Sequence, residues 1–407
     1  MPTAELRILK LKPREERRLR QGHLWIYSNE VDTRATPLKG LEPGAEVVVC
    51  AASGKPLGRA LMSPQALICA RLISRDPEQG LDAAMVGERL RAALALRERL
   101  YPGTGCYRLF YGEADGLSGV IIDRYGDVVV CQLNTIGMEQ RRDMLVDALR
   151  DLLELRSIVF KLDAGARATE GLDRYVDVVG EPPPDLVPLV ENGVAFQAPV
   201  LGGQKTGWFY DHRENRARTA ALAPGVRVLD AFSYVGGWGL QALAFGADSL
   251  LAVDSSETAL EVLRANAKLQ GVSDRVTVQK GDAFSTLEAL ADAGERFGLV
   301  VIDPPALVKR RKDLGAGQHG YQRLARLGMR LTEDDGLLLF ASCSLHFDRA
   351  MLRETLRAAA RHVDRHAQLL GVWGVGPDHP LHPAIPEMDY LGAALLRLRA
   401  PGRGGVL

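Results

Sequence analysis

The sequence contains little of what a disulfide framework, a zinc site or a membrane span would need. Its five cysteines are an odd number, lie far apart and form no C-x-x-C pair: Cys50, Cys69, Cys106, Cys131 and Cys343. This pattern favours reduced thiols, and we expect no bound metal. No apolar run approaches the length of a membrane span, and the start of the chain alternates charges with single apolar residues instead of forming a signal peptide. We therefore expect a cytoplasmic protein.

The chain also lacks a net charge, because 51 basic residues balance 51 acidic ones. Nucleic-acid binding depends more on how charge is distributed than on its sum. One basic stretch lies at the start of the chain, and a second begins with Lys309, Arg310 and Arg311 and contains a single acid, Asp313, before Arg330. Either stretch is compatible with an RNA contact or with an ordinary solvated helix face.

Length and composition predict a globular protein of two or three domains, since 407 residues contain 46% hydrophobic and 25% charged residues. Short alternating strand candidates separated by glycines indicate a small β-rich domain over residues 1–76. A hairpin followed by a helix and further strands indicates an α+β middle domain over residues 77–188, which ends in the proline-rich linker Glu181 to Pro184. The remainder, residues 189–407, has the pattern of an α/β domain.

The α/β pattern is clearest from Val226 to Gly239, which reads as a strand, a glycine turn and the start of a helix. Four apolar runs in this half each end on or just before an acid: Asp230, Asp254, Asp282 and Asp303. Ligands of open parallel sheets bind beyond the carboxyl ends of the strands. The sequence therefore predicts a Rossmann-like sheet with acids lining one crevice, where a single adenosine-containing ligand would account for all four.

The glycine turn alone does not identify this ligand. Gly237 to Ala242 matches the relaxed dinucleotide pattern G-x-G-x-x-A, so a nicotinamide-dependent oxidoreductase is one alternative. An acid beside the turn, Asp230, suits the sulfonium and ammonium groups of S-adenosylmethionine better than a pyrophosphate, which prefers a helix N-terminus without nearby negative charge. Asp230 could also simply cap the following helix. We favour S-adenosylmethionine as the cofactor.

Two further stretches lie on the same predicted rim. Asp303-Pro304-Pro305 follows the fourth strand, and its prolines fix an extended wall against which a planar substrate could lie. A fifth strand, Gly336 to Phe340, runs into Ser342-Cys343-Ser344. This arrangement predicts an acid and a thiol at neighbouring strand ends.

At these residues the sequence resembles the RNA cytosine-5 methyltransferases that modify 23S ribosomal RNA and carry an N-terminal PUA domain. The resemblance covers nearly the whole chain and rests on the block Gln204 to Arg213, the loop Phe232 to Gly237, Asp303-Pro304-Pro305 and Ser342-Cys343-Ser344. One departure is Leu307, where an aromatic residue is expected. The resemblance implies a PUA domain, a class I methyltransferase fold, ribosomal RNA as partner and a homodimer.

The same resemblance, together with the pattern of acids, assigns candidate site residues. Cys343 is expected to add to carbon 6 of the cytosine, and Asp303 to hold the N3 edge of the ring. Residues expected to bind the cofactor are Asp230, Phe232, Tyr234, Gly236, Gly237, Asp254, Asp282, Asp303 and Lys205. Aromatic and cationic side chains mixed near the start, with the basic stretch after Asp303, give the expected RNA-binding set of Arg18, His23, Trp25, Lys309, Arg310 and Arg311.

Two other functions remain open at this point. An exocyclic-amine RNA methyltransferase would need no thiol and usually places an aromatic residue after Asp-Pro-Pro, where this chain has Ala306. A non-catalytic RNA-binding protein would have no reason to keep Asp230, Asp254, Asp282, Asp303 and Cys343 together. The sequence therefore favours covalent methyl transfer to carbon 5.

Overall fold

The computed structural model describes residues 6–400, which fall into two compact units. The first unit contains residues 6–187 together with Pro199–Trp208 and Pro377–Met388. The second contains Pro188–Ala198, Phe209–Gly376 and residues 389–400. The division into domains 1–76, 77–188 and 189–407 stays a prediction.

The first unit begins with a five-stranded sheet. Its elements are β1 (Arg7–Lys10), α1 (Arg17–Arg20), β2 (Trp25–Tyr27), β3 (Glu46–Cys50), β4 (Pro56–Met62) and β5 (Ile68–Ser74). The strand order is β1-β3-β4-β5-β2, with β1 parallel to β3 and the other pairs antiparallel. Alternate side chains such as Leu9, Val47 and Val49 enter a common core, as the period of two in the sequence predicts.

A second five-stranded sheet follows in the same unit. Its elements are α2 (Ala83–Leu100), β6 (Cys106–Tyr111), α3 (Gly112–Asp115), β7 (Val120–Tyr125), β8 (Val128–Leu133), α4 (Ile136–Glu139), α5 (Arg142–Leu152), β9 (Ser157–Leu162) and β10 (Tyr175–Gly180). The order is β10-β9-β8-β7-β6, and only β8 and β9 run parallel. Helix α2 is preceded by Asp82, whose carboxylate caps it by accepting the N–H of Met85.

The second unit is built on a seven-stranded sheet. A hairpin precedes it, and the elements in chain order are β11 (Val187–Glu191), β12 (Val194–Ala198), α6 (Arg213–Ala220), β13 (Arg227–Ala231), α7 (Gly239–Ala244), β14 (Ser249–Asp254), α8 (Glu257–Leu269), β15 (Val276–Lys280), α9 (Ala283–Asp292), β16 (Phe297–Ile302), α10 (Leu314–Leu331), β17 (Thr332–Ser342), α11 (Arg349–His362), β18 (His366–Trp373) and β19 (Gly392–Arg399).

The order of the large sheet is β15-β14-β13-β16-β17-β19-β18, and all neighbours are parallel except those of β19. This confirms the predicted Rossmann-like fold, and β19 is its one reversed strand within the described residues. Every residue of the central strand β16 is buried, because helices cover both faces. The parallel strands end at one edge, so Asp230, Asp254, Asp303 and Cys343 lie at or just beyond that edge.

Candidate active site

The loop after β13 has an unusual backbone conformation. Phe232 and Tyr234 adopt positive φ angles of 63° and 49°, and Gly236 follows at 89°. Positive φ in residues other than glycine is uncommon and costs about 1–3 kcal/mol, so it persists where the surrounding structure requires it. At Gly236 a Cβ atom would also come within 2.7 Å of the Leu240 side chain. The loop therefore turns tightly between the strand and α7.

Asp230 lies beneath this loop, with no exposed surface. Its Oδ2 accepts the N–H of Gly239 at 2.9 Å, whereas its Oδ1 has no hydrogen-bond partner among residues 6–400. Burial raises the pKa of Asp230 to about 7. The expectation that Asp230 could cap the helix is thus met by one oxygen, and the other remains available for a cationic group of a ligand.

The next two acids, Asp254 and Asp282, differ from Asp230 because neither is fully buried. Asp254 accepts backbone N–H groups with both oxygens, from Tyr234 and from Ser256, each at 2.9 Å. It therefore ties the loop after β13 to the end of β14. Asp282 is exposed and caps α9 by accepting the N–H of Ser285 at 3.0 Å. Both carboxylates are ordered by local backbone contacts at the rim where the cofactor was expected.

Asp303 follows β16 and is held at both carboxylate oxygens. Trp238 donates its indole N–H to Oδ2 at 2.9 Å, and Nε2 of His212 lies 3.4 Å from Oδ1. The Asp303 side chain keeps 21% of its surface exposed. Burial acts to raise the pKa of Asp303, but His212 and Trp238 outweigh it and hold that pKa below its ordinary value. Asp303 is therefore an ionised acceptor at the edge of the cleft.

Cys343 is half-buried, and its Sγ lies 3.9 Å from the carbonyl oxygen of Pro304. The residue after it fixes this position. The buried hydroxyl of Ser344 accepts the N–H of Val308 at 3.1 Å and contacts the hydroxyl of Tyr321 at 2.7 Å. These contacts join the Asp-Pro-Pro loop to the Ser-Cys-Ser loop, so the thiol and the carboxylate of the expected catalytic pair belong to adjacent, mutually fixed loops.

Several residues of this site were not predicted from the sequence. His212 and Asn215 belong to the segment at the start of α6, and Tyr321 lies in the middle of α10. The segment at the start of α6 is unusually rich in charged and aromatic residues, and this density is the sequence signal for it. The signal does not indicate which residues its side chains contact. The same segment supplies Asp211, which accepts the hydroxyl of Tyr390 at 2.6 Å.

The residues expected to bind RNA occur in both units. Lys309, Arg310 and Arg311 are exposed directly after the Asp-Pro-Pro loop, and Arg310 pairs with Asp313 at 3.2 Å. In the first unit Arg18 pairs with Glu30, His23 is buried, and the indole of Trp25 donates to Glu113 at 2.8 Å. Lys205, expected at the cofactor, is an exposed residue of the first unit with a φ of 48°.

Within residues 6–400, no three or more His, Cys, Asp or Glu side chains gather in a way that could hold a metal ion. No helix in that range is both long and apolar enough to cross a bilayer.

The site fits the cofactor that the sequence predicts. S-adenosylmethionine carries an ammonium and a sulfonium, and the buried Oδ1 of Asp230 lacks the partner that a cation would provide. The loop that follows the strand of Asp230 turns tightly, with positive φ angles at Phe232, Tyr234 and Gly236. A dinucleotide would instead bring a pyrophosphate towards a carboxylate.

Comparison with known proteins agrees with this geometry. Residues 9–75 match the model of a PUA-like domain, and residues 172–367 match the model of an S-adenosylmethionine-dependent methyltransferase. A ribosomal RNA large subunit methyltransferase I from Erwinia tasmaniensis is 35% identical over 391 residues, covering 95% of this chain and 98% of the relative. A protein of the same name from Shewanella denitrificans is 35% identical and covers 96% of this chain and 99% of the relative.

Solved structures support the fold. A candidate S-adenosylmethionine-dependent methyltransferase from Streptococcus mutans superposes with a TM-score of 0.81 at 20% identity, covering 96% of this chain and all of the other. A further methyltransferase structure, complexed with S-adenosylhomocysteine, has the same TM-score of 0.81 and the same 20% identity. At this identity the similarity concerns the fold. The family match, however, favours a methyltransferase over the nicotinamide-dependent alternative.

Proposed function

Because this chain belongs to the ribosomal RNA large subunit methyltransferase I family, we propose that it transfers a methyl group to carbon 5 of a cytosine in 23S ribosomal RNA through a covalent cysteine adduct. Its dependence on S-adenosylmethionine follows from the family. The names of the curated relatives support ribosomal RNA as the acceptor. The choice of base and the covalent route rest on the chemistry of the site.

One observation carries the proposal: the half-buried thiol of Cys343 lies 3.9 Å from the carbonyl oxygen of Pro304, the residue that follows Asp303. Methyl transfer to an exocyclic amine uses the lone pair of that nitrogen and needs no thiol. Carbon 5 of a cytosine has no such lone pair and is a weak nucleophile. A thiol beside the base-holding acid is the arrangement that methylation at carbon 5 requires.

The proposed reaction begins when the Cys343 thiolate forms a bond from Sγ to carbon 6 of the ring. The electron pair of the 5,6 double bond then resides at carbon 5, which attacks the methyl group. S-adenosylmethionine supplies that methyl group and leaves as S-adenosylhomocysteine. A base then removes the proton from carbon 5, the double bond reforms, and the bond from Sγ to carbon 6 breaks. The thiolate is regenerated, so atoms and charge balance over the cycle.

In this scheme Asp303 binds the polar edge of the flipped-out cytosine. Its pKa is held below the ordinary value because His212 and Trp238 offset the effect of burial, so it enters the reaction as a carboxylate. A carboxylate accepts a hydrogen bond from the exocyclic amino group at carbon 4, and it stabilises a proton on N3 when addition at carbon 6 makes N3 more basic. Asp303 would thereby stabilise the adduct.

Apart from Lys205 of the first unit, the proposed cofactor residues belong to β13 or the loop after it, or lie at or just after the ends of neighbouring strands. Asp230 would bind the cationic part of the cofactor through its unpartnered oxygen, while Asp254 and Asp282 suit the ribose and adenine because they follow successive strands. The remaining proposed contacts are Phe232, Tyr234, Gly236, Gly237, Asp303 and Lys205.

We further propose that RNA contacts the exposed Lys309, Arg310 and Arg311, which adjoin the Asp-Pro-Pro loop. Arg18, His23 and Trp25 of the PUA-like domain are proposed as a second contact. A homodimer and a cytoplasmic location also belong to the proposal.

The decisive experiment uses the purified chain, transcribed 23S ribosomal RNA and S-adenosylmethionine with a labelled methyl group. The RNA is digested to nucleosides, which are identified by mass spectrometry. The proposal predicts label in 5-methylcytidine, no label with Cys343→Ala and undiminished label with Cys50→Ala, a buried cysteine of the first unit. Label in an N-methylated nucleoside, or full turnover by Cys343→Ala, would show that the acceptor atom is assigned wrongly.

A further inference from the structure

His212 is a buried imidazole that the proposed chemistry does not yet use. Its side chain is only 5% exposed and lies between two polar groups of the second unit. Nε2 lies 3.4 Å from Oδ1 of Asp303, and Nδ1 lies 3.2 Å from Nδ2 of Asn215. The ring also packs against Trp238, with 5.1 Å between ring centroids and a tilt of 57°. Both residues that contact the Asp303 carboxylate therefore contact each other.

The hydrogen-bond network assigns the proton on this imidazole. Nδ2 of Asn215 lies 3.0 Å from the carbonyl oxygen of Gly374, which can only accept. The amide nitrogen must therefore face this side, and its second hydrogen points to Nδ1 of His212, which accepts it. A neutral imidazole that accepts at Nδ1 carries its proton on Nε2. Asn215 thus directs an N–H group of His212 towards Asp303.

The carboxylate of Asp303 consequently has a donor at each oxygen. The indole of Trp238 occupies one lone pair of Oδ2 at 2.9 Å, and the imidazole faces Oδ1. The distance of 3.4 Å is long for a hydrogen bond, as is common where catalytic contacts tighten on substrate binding. With both oxygens held, the carboxylate plane has a fixed orientation, and the side chain still keeps 21% of its surface exposed.

We propose that His212 is a positioning residue for the target base: its Nε2–H group holds Asp303 in the one orientation that meets the polar edge of the flipped-out nucleotide. The inference rests on the proposed function, because it takes Asp303 as the group that binds the base. His212 itself touches neither the RNA nor the methyl group. It acts through Asp303, and Asn215 acts through His212.

A purely structural role is the alternative, since a buried imidazole against an indole also fills space. Two substitutions separate these roles. In His212→Gln the side-chain amide can place an N–H group near the position of Nε2. In His212→Leu the volume is retained but no donor remains. A space-filling role predicts a similar kcat for both variants, or a higher kcat for the leucine variant. A positioning role predicts rescue by glutamine alone.

The test measures methyl transfer to transcribed 23S ribosomal RNA by the full chain. For His212→Leu we expect kcat to fall about 10- to 100-fold, the usual effect of removing a group that orients a functional side chain. His212→Gln should stay within roughly threefold of the wild-type kcat, because its donor is retained. Binding of S-adenosylhomocysteine, followed by calorimetry, should fall less than kcat does in the leucine variant, because Asp303 is one of several proposed cofactor contacts and Asp230 and Asp254 are unaltered.

Equal losses in the two variants, or an unchanged kcat in His212→Leu, would overturn the inference. If the leucine variant does not fold, as judged by circular dichroism and thermal melting, His212→Met takes its place as an unbranched side chain without a donor. The identity of the methylated nucleoside distinguishes a failure of the proposed function from a failure of the proposal for His212. A wild-type product other than 5-methylcytidine would contradict the proposed function, whereas the glutamine and leucine variants would still be compared by the rate of that product.

Discussion

At the scale of single residues, Asp230 combines a helix-capping contact with a second oxygen that we propose binds the cofactor. One carboxylate oxygen caps α7 through Gly239, and the other is buried without a partner in the described chain. Asparagine can reproduce the cap, because its amide oxygen also accepts an N–H group. It cannot reproduce a negative charge. Replacing Asp230 by asparagine therefore separates the structural role from the role in cofactor binding.

The Asp230→Asn variant should change stability and cofactor binding in opposite directions at pH 8. The pKa of Asp230 rises from 3.8 to about 7 on folding, so the folded state binds more protons than the unfolded state between those values. As the pH rises through this window, the free energy of unfolding of the cofactor-free wild type should therefore fall. The fall should be about 1–3 kcal/mol larger than any change in the variant, which has no carboxyl group at this position. Denaturant unfolding at pH 5 and pH 8 measures this difference.

Calorimetric titration with S-adenosylmethionine supplies the second half of that test. We expect the affinity of Asp230→Asn to fall at least about tenfold at pH 8, because a charged partner is lost. An affinity equal to that of the wild type would mean that Asp230 only caps the helix.

Some residues of the site could be predicted and others could not, for a physical reason. Asp303 and Cys343 follow apolar strands, and parallel strands carry their ends to one edge, so local sequence is sufficient to bring them together. His212 and Asn215 act through partners that are distant in sequence. Tyr321 resembles any core residue of an amphipathic helix until its hydroxyl is found on Ser344. Side-chain contacts of this kind depend on tertiary packing.

At the scale of elements, α10 connects the loop of Asp303 to the loop of Cys343 through Tyr321. Its hydroxyl contacts Ser344 at 2.7 Å and accepts the N–H of Leu307 at 3.3 Å. The ring stacks on Phe347 with 4.5 Å between centroids. The helix therefore fixes the separation between the loop of Asp303 and the loop of Cys343.

Tyr321→Phe should keep the stacking but release both loops. The N–H of Leu307 and the hydroxyl of Ser344 would lose a buried partner, which costs about 1–3 kcal/mol of unfolding free energy. We also expect kcat to fall roughly tenfold, because the thiol and carboxylate lose their common support. Tyr107→Phe removes a buried hydroxyl that contacts Arg124 in the first unit and serves as the control. An equal loss of kcat in both variants would contradict a specific role for Tyr321.

The glycines of α10 provide a second test of the same packing. A Cβ atom at Gly317 would come within 2.4 Å of the Val308 side chain and 2.8 Å of the Leu307 carbonyl oxygen, whereas Gly315 has open space around it. Gly317→Ala should therefore destabilise the protein by about 1–3 kcal/mol and lower kcat by displacing the loop of Asp303. Gly315→Ala should stabilise it by about 0.5–1 kcal/mol through helix propensity.

Thermal melting and methyl-transfer rates of these two alanine variants check the prediction. If Gly317→Ala were as stable and active as Gly315→Ala, the close approach of α10 to the loop would play no part in the site.

Buried strands could be predicted closely from this sequence. The runs ending at Asp254 and Asp303 became β14 and β16 with bounds shifted by no more than a few residues, because buried parallel strands are continuously apolar. Helix α10 contains four glycines and was not predicted, since glycine disfavours helices in isolation. Here the glycines serve packing: Gly317 lies against the Asp-Pro-Pro loop. Tertiary contacts override the local preference.

At the scale of the whole molecule, a net charge of zero is compatible with RNA binding because the charges are unevenly placed. Lys309 and Arg311 are exposed beside the Asp-Pro-Pro loop, whereas many surface cations are paired, such as Arg357 with Glu354. Replacing Lys309 and Arg311 together by glutamine should weaken binding of transcribed 23S ribosomal RNA. A plot of the logarithm of the RNA association constant against the logarithm of salt concentration has a negative slope, and this slope should become shallower by roughly one to two.

Arg357→Gln is the matched control for that measurement and should leave the salt slope unchanged. Filter binding or fluorescence anisotropy over a range of salt concentrations gives both slopes. A slope that does not respond to the double substitution would remove Lys309 and Arg311 from the RNA-binding surface.

The class of the fold could be predicted from the sequence, whereas the grouping into units could not. Apolar strands alternating with amphipathic helices predict a doubly wound sheet, and the observed order with a reversed β19 agrees. The segments Pro199–Trp208 and Pro377–Met388 belong to the first unit although they lie within the stretch assigned to the methyltransferase domain. Such exchanges follow from long-range packing, which local patterns do not record.

The central claim is that Cys343 bonds to carbon 6 of the target cytosine, and a trapped adduct tests it most directly. The 23S ribosomal RNA is transcribed with 5-fluorocytidine triphosphate, so carbon 5 of each cytosine carries fluorine instead of hydrogen. A base then has no proton to remove from carbon 5, and the covalent complex should persist. In the presence of S-adenosylmethionine, a denaturing gel should show a protein–RNA band for the wild type and for Cys50→Ala but none for Cys343→Ala. Mass spectrometry should locate the bond at Cys343. A wild-type enzyme that methylates RNA without forming this band, or a band that survives Cys343→Ala, would contradict the account.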